Sequence, residues 1–139
     1  MKKMNNKGFS LVELIIVIAI MAILIGVLAP QYLKYVEKSR ISADKDVLDS
    51  VYNACTTAAS EPELTDVPGY NTNFNLDATS DTDTGHWTGV VLNTLGTTNG
   101  SSVSAKLKSK SCKGQHIYVS EDSYGNFIVT CSDIVIPEN

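Results

Sequence analysis

The sequence is poor in the residues from which metal centres and disulfide frameworks are built. Its 139 residues hold 3 cysteines and 2 histidines, too few for a rich metal site or a cysteine-stapled mini-protein. It also lacks an excess of positive charge: 11 lysines and arginines stand against 15 acids, a formal net charge of −4. The chain as a whole therefore has no pull toward nucleic acid or anionic lipid. No nucleophile–base pair, phosphate-binding loop or metal-binding helix motif occurs, so catalysis has no support and no cofactor is implied. Long apolar runs are absent with one exception, which excludes a polytopic membrane protein, and the length leaves room for one domain.

The exception is informative. In Leu14–Ala29 only Gly26 is not an apolar side chain, while the rest of the chain is rich in Ser, Thr, Asn and Asp. One membrane segment carrying one small polar domain is the simple reading. Lys2, Lys3 and Lys7 precede the run, and the first acid is Glu13. Positive charge stays cytoplasmic, so the chain after residue 30 is expected outside the membrane. A removable secretory signal would need a small-x-small cleavage site, and Gly26-Val27-Leu28-Ala29-Pro30 is a poor one. Phe9 to Ala29 as a helix covers about 30 Å, the thickness of the bilayer hydrocarbon. Glu13 lies near the start of that span, where a carboxylate either reaches the headgroup layer or marks a function that needs a partner.

The stretch Lys7-Gly8-Phe9-Ser10-Leu11-Val12-Glu13-Leu14, followed by the apolar run and Pro30, resembles the class III signal peptide of type IV prepilins and pseudopilins. The resemblance covers roughly residues 1 to 40. It implies cleavage between Gly8 and Phe9 by a prepilin peptidase, N-methylation of Phe9, and polymerisation of the mature chain with itself through its apolar helix. A pilus assembly platform and its ATPase are further implied partners. Cleavage would remove Lys2, Lys3 and Lys7, leaving 8 basic residues against 15 acids, a formal −7. The new Phe9 amine could then face Glu13 of a neighbouring subunit, two costly charges offsetting each other in an apolar setting. The expected product is a type IV pilus subunit, a membrane protein before assembly and an extracellular filament afterwards. The alternative is a pseudopilin of a type II secretion or competence DNA-uptake system.

The expected fold class is α+β, a long N-terminal helix packed on a small antiparallel sheet head. Residues 1–8 form the basic leader, 9–29 the membrane or filament-core half of the helix, and 30–139 the extracytoplasmic head. Pro30 removes a hydrogen bond to the Gly26 carbonyl, so a kink or a loosened turn is expected there. Beyond it, Leu33, Val36, Ala43, Val47, Val51, Ala54 and Ala58 keep a spacing near 3.6. The helix should end near Ser60, ahead of Pro62. A loop over 61–85, a short helix over about 86–95 and a three-stranded sheet over about 103–131 complete the reading. In that sheet Val103–Cys112 alternates, placing Lys106, Lys108 and Lys110 on one face, and His116–Ser120 pairs with Phe127–Cys131.

Cysteine pairing stays open. The resemblance favours Cys112–Cys131, strand parity favours Cys55–Cys131, and free thiols or a zinc site completed by His116 are the remaining options. Asp77, Asp81 and Asp83 fail the calcium-loop spacing and read as a solvated loop. Asn99-Gly100-Ser101 fits a glycosylation sequon and reads as a turn. The Lys106, Lys108, Lys110 and Lys113 cluster can meet DNA phosphates, the acidic stretch Asp44–Asp83 of a neighbouring subunit, or solvent.

Overall fold

A computed structural model describes residues 8–70 and 72–138. Lys2, Lys3 and Lys7 of the basic leader lie outside the described residues. Two compact units divide the chain, Met1–Val36 and Glu37–Asn139, and the helix α1 (Leu11–Ala59) runs through both. In the first unit every described residue from Gly8 to Tyr35 is exposed. A helix that is apolar on all sides and exposed along its length belongs in lipid or among like helices, and this one is long and apolar enough to cross a membrane. Helical structure continues without interruption through Pro30, whose missing N–H leaves the Gly26 carbonyl without its usual donor.

In the second unit α1 turns amphipathic. Leu48, Val51, Ala54, Cys55 and Ala58 are fully buried, spaced so that one stripe faces the core. The helix closes with Ser60 N–H donating to the Thr56 carbonyl at 3.2 Å, just before Pro62. A four-stranded antiparallel sheet in the order β1-β2-β3-β4 packs on that stripe. Its strands are β1 (Phe74–Asn75), β2 (Tyr118–Glu121), β3 (Phe127–Cys131) and β4 (Ile134–Ile136). The β2–β3 hairpin pairs Val119 with Val129 and Glu121 with Phe127; Gly125 turns its tip at φ +82°. The expected α+β class, a long N-terminal helix with a small antiparallel head, is what the structure has.

Helix α2 (Trp87–Thr94) adds Trp87, Val91 and Leu92 to the same core. Its end is a Schellman motif: Thr97 N–H reaches the Leu92 carbonyl at 3.0 Å and Gly96 N–H the Asn93 carbonyl at 2.9 Å, with Gly96 at φ +71°. Trp87 is buried between Phe74, edge-on at 5.8 Å, and Phe127, stacked at 5.7 Å.

Three details of the sequence reading are corrected. Val103–Cys112 is no strand: Ser101–Ser104 forms the short helix α3 and turns follow. Val103 and Leu107 are both buried, and residues four apart share a face in either period, so the alternation did not discriminate. The Lys106–Lys110 strand face therefore does not exist. The 61–85 loop contains β1 and a single 3-10 turn, Leu76–Ala78. The sheet also extends past residue 131, because β4 folds back on β3 through a two-residue Ser132-Asp133 turn with Ser132 at φ 53°.

Candidate assembly site

The start of α1 is held by a reciprocal pair. Ser10 N–H donates to Glu13 Oε2 at 2.8 Å, and Glu13 N–H donates to Ser10 Oγ at 3.2 Å. This is a capping box, in which an N-cap hydroxyl and the carboxylate three residues on satisfy two of the orphan amides at the helix start. The carboxylate thus has a donor of its own in an apolar segment, which reduces the cost of leaving water. Both partners lie after the Gly8–Phe9 bond, so cutting there would leave the box intact. The Ser-x-x-Glu spacing ahead of an apolar run carried this signal in the sequence, where Glu13 was weighed as a membrane charge and as a partner for a neighbour's Phe9 amine but not as a helix cap.

Around the box the chain is open. Gly8 has nothing within 4 Å of where a Cβ would stand, Phe9 is 93% exposed, and Glu13 is exposed. Pro30 lies inside α1, remote in sequence from the box.

In the head, two α1 carboxylates grip the segment before β2. Asp44, with 0% exposure, accepts Lys108 N–H at 2.7 Å and Ser109 N–H at 2.9 Å. Glu37 accepts Lys110 N–H at 2.6 Å. These bonds replace the ladder that a strand over 103–112 would have had. The four lysines of the segment, Lys106, Lys108, Lys110 and Lys113, are exposed.

The three cysteines are buried free thiols. Cys112 and Cys131 lie side by side, with Cys112 Sγ 2.9 Å from the Cys131 carbonyl oxygen. Burial pushes the Cys55 thiol up to about 12. It also raises Cys131, where the Cys112 thiol adds to the effect, and raises Cys112. Cys112 sits in a turn and is turned inward, not on a lysine face, which removes the objection that strand parity raised to pairing it with Cys131.

Among the described residues no group of three His, Cys, Asp or Glu side chains is placed to hold a metal. His116 Nδ1 sits 2.8 Å from Asp77 Oδ2 instead. Asp81 accepts Asp83 N–H at 2.9 Å and the Thr88 hydroxyl at 2.7 Å, and these two bonds hold its carboxyl below the usual range. Asp83 accepts Gly85 N–H at 2.9 Å. Asp81 and Asp83 thus brace one loop, and Asp77 faces His116 and the Ile117 amide instead.

An exposed apolar helix with a capped carboxylate at its start suits a membrane anchor or packing among like helices. Residues 3–29 match the family described as the prokaryotic N-terminal methylation motif. Over 59 residues the chain is 38% identical to the type IV major pilin protein PilA of Myxococcus xanthus (strain DK1622), a match taking in 42% of this chain and 27% of that protein's length. Both findings cover only part of the chain, and both support a type IV pilin. No solved structure matches the chain.

Proposed function

We propose that the chain is a structural subunit of a type IV pilus. A prepilin peptidase cuts between Gly8 and Phe9, the Phe9 amine is methylated, and the mature chain polymerises with copies of itself through the helix beginning at Phe9. Before assembly the apolar helix anchors it in the cytoplasmic membrane with the head outside. The assembly platform and its ATPase extract it into an extracellular filament. The observation that carries this reading is the exposed apolar stretch Leu14–Ala29 of α1, joined to a head that has its own closed core. Such a surface needs lipid first and other copies later.

In the filament Glu13 exchanges or shares its Ser10 amide for the Phe9 ammonium of the next subunit. The Cys112–Cys131 pair closes as a disulfide once the head is outside, its two electrons and two protons passing to a disulfide-donating oxidant of the cell envelope, a reading supported by the adjacency of the two thiols. Intact mass and N-terminal peptides of the protein sheared from native cell surfaces, without reductant, test the cleavage, the methylation and the disulfide. A chain starting at methylated Phe9 and lighter by two hydrogens is expected. A chain retaining Met1–Gly8, or starting beyond Pro30, overturns the pilin reading. Processed protein that stays in the cell envelope with no external fibre assigns the chain to the pseudopilins.

A further inference from the structure

Charge in the head is segregated along α1. Residues 46–105 contain 8 acids and no lysine or arginine. Two groups of exposed charge result, and each is built into the fold.

The acidic group sits where α1 ends. Glu61 N–H bonds the Ala58 carbonyl at 3.3 Å, which ties this residue to the last turn. Glu61 and Glu63 share one depression with Thr84 and Gly85. His86 then links Asp66, at 3.3 Å, and Asp83, at 3.9 Å. All four carboxylate residues are exposed.

The basic group sits where α1 enters the head. Asp44 and Glu37 hold the backbone of Lys108, Ser109 and Lys110, so these two lysines project from a fixed segment with Lys38 and Arg40 on the helix nearby. All four are exposed, and only Arg40 has a carboxylate within reach among the described residues, Glu37 at 3.7 Å.

The helix from Asp44 to Ala59 covers about 22 Å. Surface charges are screened over about 8 Å at physiological ionic strength, so the two ends of one head do not satisfy each other. Opposite charges at opposite ends complement each other head to tail between copies. A contact between two different surfaces of identical subunits that does not close into a ring propagates as a helical filament.

We propose that the basic end of one head, Lys38, Arg40, Lys108 and Lys110, docks on the acidic end, Glu61, Glu63, Asp66 and Asp83, of a second copy. This contact rests on the filament reading and adds a register between heads to the packing of apolar helices. The test uses the full chain expressed in its native cells. Lys108→Glu with Lys110→Glu leaves the anchoring backbone amides untouched, and Glu61→Lys with Glu63→Lys reverses the other end. Several ion pairs lost per contact should lower sheared-fibre yield about tenfold for either double variant. The combined fourfold variant should recover most of it.

Wild-type fibres grown from mixed isotope-labelled subunits and treated with a carbodiimide should give lysine–glutamate cross-links between light and heavy chains. Normal fibre yield from both double variants, or no recovery in the combined one together with no inter-chain cross-link, overturns the docking contact. Normal fibres that lose only their retention of double-stranded DNA overturn it too, and assign the lysines to a polyanion. Absence of wild-type fibres is a separate result, the failure of the filament reading itself.

Discussion

Glu13 has two roles in this reading, and three substitutions separate them. As a cap it needs only an acceptor for Ser10 N–H, now 2.8 Å away; as a partner for the Phe9 ammonium of the next subunit it needs its charge. Glu13→Gln keeps the acceptor, since Gln also completes a capping box, and removes the charge. Ser10→Ala removes the hydroxyl that accepts Glu13 N–H at 3.2 Å and keeps the carboxylate. Losing a cap costs about 1 kcal/mol, or about fivefold in an assembly constant. Stranding an ammonium in an apolar filament core costs about 3–5 kcal/mol, a factor of roughly 100 to 5,000. Sheared-fibre yield, normalised to the processed protein in whole cells, should therefore be mildly reduced in Ser10→Ala. It should fall below detection in both Glu13→Gln and Glu13→Ala. Fibre from Glu13→Gln at the wild-type level would refute the charge pairing and leave Glu13 a helix cap.

The head offers three further tests, each on the full chain in detergent with Trp87, its one tryptophan, as the fluorescent reporter. Asp44→Ala leaves the buried amides of Lys108 and Ser109 without acceptors, so urea unfolding should show a loss of about 2–5 kcal/mol, with Asp44→Asn losing roughly half; an unchanged midpoint would remove Asp44 from the fold's anchors. Asp122 accepts Asn126 N–H at 2.9 Å, the Asn126 side-chain amide at 3.1 Å and Tyr124 N–H at 2.8 Å, which lower its pKa. The unfolded chain then takes up the proton more readily, so stability is full above pH of about 4 and falls with further acid. Melting temperature should drop on acidification, less steeply in Asp122→Asn, and equal slopes would refute the assignment. A closed Cys112–Cys131 bridge should stabilise the head by roughly 3 kcal/mol, lost on reduction or in Cys131→Ser; a reductant-insensitive unfolding curve argues for free thiols.

Local signals in the sequence translated well into structure. The 3.6 spacing and Pro62 marked α1 and its end, the short helix over about 86–95 is α2, and the pairing of His116–Ser120 with Phe127–Cys131 is the β2–β3 hairpin. The failures share a cause. Val103–Leu107 fits two periods at once, and what excludes the strand is a carboxylate 64 residues upstream claiming its amides. β1 has two residues, too few for any period to register. It exists because β2 lies beside it and Trp87 packs on Phe74.

The acids of α1 show why composition understates a chain like this one. Glu13, Glu37 and Asp44 are three of the acids along α1. In the structure all three accept backbone amides, Glu13 from its own first turn and the others from a segment 64 to 73 residues away. A carboxylate is acceptor-only, and a helix presents it to whatever amides lack a partner. The first case is local and was legible as Ser-x-x-Glu; the other two depend on where the chain returns, which no local pattern encodes. The consequence reaches function. By fixing the lysine segment through its backbone, Asp44 and Glu37 leave its ammonium groups free. A lysine segment held by its own side chains would have spent on the fold the charge that here faces outward.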